Sequence, residues 1–67
     1  MKIGNTIRRV RKAQRISQAE LARRSGLSKP IISIIEANKR SSVRLDTIEK
    51  IAKALNVEIC AIVGGRK

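Results

Sequence analysis

The chain has 67 residues, a formal charge of +11, a single cysteine (Cys60), and no histidine or aromatic residue. So short a chain holds one domain, 1–67, with a small core, and dimerisation is the expected source of added stability. The cysteine count excludes an intramolecular disulfide, and without histidine a zinc site of the usual spacing is excluded too. No metal or cofactor is expected, and no nucleophile with a nearby base suggests an enzyme.

The charge exceeds what solubility requires, since magnitudes of roughly 2 to 8 suffice for a small domain, and it makes a polyanion the natural partner. Single-stranded nucleic acid is read by stacking bases on aromatic rings, which this chain lacks, so duplex binding through phosphates and a groove is favoured. The start, MKIGNTIRRVRK, has no apolar segment of signal-peptide length, and no apolar run approaches the roughly 20 residues that span a bilayer. A soluble protein of the reducing cytoplasm, associated with the nucleoid, is expected.

In chain order, Ile3, Ile7 and Val10 recur at helical spacing, with Arg8, Arg9, Arg11, Lys12 and Arg15 on the other faces. A membrane-surface helix would carry a bulkier apolar stripe, so core packing is the preferred reading. Ile16 is placed to staple the next helix. Ser17 and Glu20 form a capping box, in which each side chain serves a backbone amide of the other. Leu21 and Ala22 supply an inward stripe, and Gly26 suits a left-handed stop. Ser28 caps a further helix, and Pro30 falls in its first turn, where the missing amide proton costs nothing. Two helices joined so tightly make a helix-turn-helix over 17–38.

In the second of these, Ile32 and Ile35 point inward. Lys29, Pro30 and Ser33 point away, with Ile31 and Ile34 either packing on a neighbour or meeting thymine methyl groups in the major groove. The basic loop from Asn38 through Lys39, Arg40, Ser41 and Ser42 suits phosphates. Leu45, Ile48, Ile51, Ala52 and Leu55 trace a fourth helix, and Asn56 is a plausible left-handed stop. The β-branched run 57–63 reads as a strand that pairs antiparallel with its copy across a dimer two-fold, using Val57, Ile59, Ala61, Ile62 and Val63. A fifth helix that also dimerises is the alternative. Cys60 is expected to be a small buried hydrophobe.

SQAELARRSGLS, its continuation IISIIEANKR and the later VRLDTIEKIAKALNV together resemble the phage repressor and Cro type (XRE-like) of helix-turn-helix domain. The C-terminal SVRLDTIEKIAKALNVEICAIV resembles antitoxin-type members that end in a dimerising strand. The resemblance implies an all-α, four-helix or five-helix repressor-like fold and a DNA-binding face of Gln18, Ser28, Lys29, Pro30, Ser33, Ile34, Lys39, Arg40 and Arg44. Within that face Gln18 holds a phosphate and braces the recognition helix, Lys29 reads guanine, and Lys39, Arg40 and Arg44 contact phosphates. Arg11 and Glu36 match a family ion pair. Ile34 stands where many relatives carry arginine or glutamine. The expected function is that of a sequence-specific, dimeric transcriptional repressor reading half-sites about 34 Å apart. The alternatives are an antitoxin with a toxin partner, or a restriction-system controller, whose DNA binding is autoregulatory.

Overall fold

Residues 3–39 and 43–63 are described by the structure, a computed structural model. Within them the chain runs as α1 (Ile3–Ala13), α2 (Gln18–Ser25), α3 (Lys29–Glu36), α4 (Leu45–Ala54) and α5 (Ile59–Ile62). The first four helices end the same way. Each is followed by a left-handed residue: Arg15, Gly26, Asn38 or Asn56. One residue later an amide reaches back to a carbonyl near the helix end, from Ile16 to Arg11, Leu27 to Ala22, Lys39 to Ile34 and Val57 to Ala52, at 3.0–3.2 Å. This Schellman arrangement satisfies carbonyls that a helix end otherwise leaves open and turns the chain sharply. Short helices joined by tight turns follow from it.

The starts are chemically distinct. Ser17 Oγ accepts from the Glu20 amide at 3.0 Å, and Ser28 Oγ accepts from the Ile31 amide at 3.4 Å. The reciprocal half of the Ser17–Glu20 box is not what Glu20 does, because its carboxylate takes hydrogen bonds from Arg23 and Arg24 instead. Two guanidiniums on the same helix face outcompete a single neutral amide for it. The start of α4, at Arg44, has no side-chain cap.

The apolar core is aliphatic, and Thr6, Arg11, Ser25 and Glu36 are the buried polar side chains among the described residues. Ile7, Leu21, Ile32, Ile51 and Leu55 are fully buried, and Ile16, Ala22, Ile35, Ile48, Ala52 and Ile62 nearly so. α3 packs on α1 and α2, α4 packs on α2, and α5 closes against α4 and α1. α3 thus gives its inward side to Ile32, Ile35 and Glu36 and keeps the other side open.

Three expectations are corrected. First, 57–63 is not a strand; no strand occurs among the described residues. The Val57 amide is already used by the α4 cap, while Ala61 and Val63 donate to Glu58 and Ile59 at 3.0 Å, so the backbone needs no partner chain. Helical spacing turns Ile59 and Ile62 toward the core together, and this packing overrides β propensity. Ile62, 1% exposed, is therefore not available to a second subunit. Second, Cys60 lies on the outward side of α5 and is exposed. Third, Leu45 is 61% exposed: it opens α4 before the buried stripe, which starts at Ile48.

Candidate nucleic-acid interface

α3 is held from behind by a buried polar knot. Glu36, the one acid of α3, receives Arg11 Nε at 2.7 Å on Oε2 and Arg11 Nη2 at 2.9 Å on Oε1. Gln18 Nε2 donates to the same Oε1 at 3.1 Å, and Arg11 Nη1 donates to the Ile16 carbonyl at 2.7 Å. One carboxylate thus joins α1, the first residue of α2 and the end of α3, and no buried side-chain nitrogen or oxygen among the described residues lacks a partner. A fork-to-fork pair of this kind fixes direction as well as distance.

The C-terminal end of α3 is clamped as well. Gly4 lies so near it that an added Cβ would stand 2.2 Å from the Ile35 carbonyl oxygen. Asn38 Nδ2 donates to Asn5 Oδ1 at 2.9 Å. A glycine is required here because backbone meets backbone.

With its inner side so occupied, α3 presents Lys29, Pro30, Ser33, Ile34 and Ala37 to solvent. A cleft of about 380 Å³ runs beside it, lined by Arg8, Arg11, Lys12, Gln18, Ser33, Glu36 and Ala37. Arg8 and Lys12 lie one turn apart on α1, which carries no acid, and Arg11 beneath them is spent on Glu36. The cleft therefore has two uncommitted cations and an amide side chain at its rim, a setting suited to a phosphate oxygen.

Gln18 and Ser33 both line that cleft. Ser28, Lys29 and Pro30 lie at the start of α3, Ser28 with its oxygen engaged as the cap. Lys39 is exposed just past α3. Arg44 is exposed at the start of α4, its Nε 3.3 Å from Asp46 Oδ1 in a solvent-facing pair. Arg40 lies outside the described residues. From sequence alone Arg8 and Lys12 belong only to a cationic exterior. The signal available was their spacing of one helical turn beside Arg11, whose pairing with Glu36 turns that face toward α3.

A second charged cluster sits away from this cleft on α2. Hydrogen bonds from Arg23 and then Arg24 lower the Glu20 carboxyl from 4.5 to about 2, and Glu20 in turn raises Arg23. It steadies the surface of α2 and leaves Arg23 and Arg24 less free for other anions.

A family model described as "Helix-turn-helix" matches residues 7–62. The chain belongs to the helix-turn-helix family. As a member of it, the chain is 36% identical over 64 residues to the immunity repressor protein of Bacillus phage phi105, covering 96% of this chain and 44% of that one. It spans about half the length of the curated relatives it matches. Among solved structures it resembles the restriction-modification controller protein C.AhdI from Aeromonas hydrophila, 36% identical with a TM-score of 0.87 over 91% of both chains. It also resembles SinR, the master regulator for biofilm formation, in complex with DNA: 31% identical, TM-score 0.86, over 91% of this chain and 97% of that one. This helix-turn-helix domain is thus of the kind found in transcriptional regulators and repressors. No helix among its described residues is long and apolar enough to cross a membrane.

Proposed function

We propose that the protein is a sequence-specific, duplex-DNA-binding transcriptional regulator that acts as a dimeric repressor. The observation that carries this reading is the open side of α3, which stands beside the Arg8, Lys12 and Gln18 cleft on a fold that, in SinR, has been solved with DNA. α3 enters the major groove. Gln18, Arg8, Lys12, Lys39, Arg40 and Arg44 hold phosphates, which supply affinity and register, while Ser28, Lys29 and Ser33 meet base edges. Lysine suits guanine O6 and N7, and Ser33 is tolerant of either partner.

The dimer uses the outer side of 57–63. Val63 is 47% exposed there and Ala61 is exposed, whereas Ile62 is held in its own core. A two-fold pair of α3 helices then reads an inverted repeat with half-sites about 34 Å apart. Selection of binding sites from random duplex DNA tests this: an inverted repeat with that spacing should emerge, and a pool that stays random after repeated rounds would overturn the reading.

The likeness to C.AhdI favours one refinement, that the repressor controls a restriction-modification system. An adjacent gene encoding a methyltransferase or endonuclease would support it, and a toxin gene in that place would point to the antitoxin alternative.

A further inference from the structure

The open side of α3 carries an apolar line. Pro30, Ile34 and Ala37 follow at spacings of four and three residues, which stack side chains on one helical stripe, and all three are exposed. Ile34 is 38% exposed and is not among the residues packed on the core. The neighbouring Ile31, by contrast, is turned into that packing and is unavailable. An isoleucine outside the core packing and 38% exposed therefore stands on the open side of α3, with the cationic cleft along its flank.

We infer that this stripe, with Ile34 at its centre, reads pyrimidine 5-methyl groups in the major groove, those of thymine or 5-methylcytosine. The inference rests on the DNA-binding reading above and specifies what that surface recognises. Donors and acceptors crowd the base edges of the major groove, and the pyrimidine methyl is the apolar feature among them. An apolar side chain pressed on a donor or acceptor leaves that group unsatisfied, so the stripe selects for methyls and against bare polar edges. Charge complementarity assigns the occupant. The surrounding cations and the charge of +11 favour a polyanion over a protein's apolar patch. Length agrees too: Pro30 and Ile34 are separated by about 6 Å along the helix, near two base steps of about 3.4 Å.

The test uses the full chain and a duplex taken from binding-site selection, with each thymine replaced singly by deoxyuridine, which removes the methyl and keeps base pairing. At one or two positions per half-site, affinity should fall about fourfold, the worth of one buried methyl-sized group. Ile34→Ala, with its own melting curve showing it folded at the assay temperature, should show no such loss at those positions. Placing cytosine or 5-methylcytosine there separates the two sources. Tighter binding of the methylated form by about fourfold shows that the methyl is read on either base, whereas no difference assigns the stripe to thymine. Indifference of the parent to every deoxyuridine, or an equal loss in Ile34→Ala, overturns the inference. Failure to enrich any duplex is a separate readout, and it would remove the regulator reading itself.

Discussion

Arg11 and Glu36 meet fork to fork across 25 residues of sequence, with Nε to Oε2 at 2.7 Å and Nη2 to Oε1 at 2.9 Å. Both side chains are almost wholly enclosed. Replacing either one leaves an unpaired charge in the interior, which costs about 3–5 kcal/mol. In a domain this small that is a large share of the total stability. Glu36→Gln and Arg11→Gln are each expected to lower the urea midpoint steeply, while the double change to Arg11→Met with Glu36→Leu recovers most of the loss. A loss below about 1 kcal/mol in the single variants would show the pair behaving as a surface contact.

Gly4 and Gly26 should fail on substitution for different reasons. Alanine at Gly4 improves helix propensity by about 1 kcal/mol, yet its Cβ would lie 2.2 Å from the Ile35 carbonyl and 2.5 Å from Asn38 Oδ1. α1 and α3 would have to part, for a net loss of about 1–3 kcal/mol. DNA affinity should fall with it, because the end of α3 moves. At Gly26 there is open space but a φ of 75°, so Gly26→Ala should cost about 1–2 kcal/mol through backbone strain alone. Equilibrium unfolding checks both, and an unchanged or stabilised Gly4→Ala protein would contradict the close approach.

The Glu20 cluster predicts a pH dependence. Its carboxyl is lowered in the fold from 4.5 to about 2, chiefly by the hydrogen bond from Arg23 and then by that from Arg24. A depressed folded pKa contributes stability that is present above the unfolded value and is lost as pH falls through the folded one. The contribution is small, because water screens a pair on the surface. The difference in melting midpoint between the parent and Glu20→Gln should therefore be constant above about pH 4.5 and should shrink toward pH 2. A difference that stays constant across that window would show that the cluster does not form in solution.

Local backbone chemistry made the helix-turn-helix legible. Ser17, Gly26, Ser28 and Pro30 act over a few residues, and the structure has the helix boundaries that they imply. Asn56 was legible for the same reason, while the left-handed Arg15 was not, since arginine carries no preference for that region. The segment 57–63 misled because β-branched composition is a weak guide beside packing. What decides it is that Ile59 and Ile62 find the floor left open by α1 and α4, which no local pattern reveals. Exposed Leu45 and Cys60 are of the same kind. The ion pair of Arg11 and Glu36 is legible through family likeness rather than spacing, and the cleft that Arg8 and Lys12 line depends on how α1 packs against α3.

The central claim, that α3 reads bases while the surrounding cations hold phosphates, is tested most directly by one comparison: fluorescence-anisotropy titrations of Lys39→Ala and Lys29→Ala against selected and random duplexes over a range of salt. Lys39→Ala should weaken binding to both duplexes alike and reduce the steepness of log K against log salt by about 1. Lys29→Ala should mainly erase preference for the selected duplex, by about 1–3 kcal/mol. Unchanged affinity, preference and salt slope in both variants would contradict the account, since the face assigned to DNA would then not touch it.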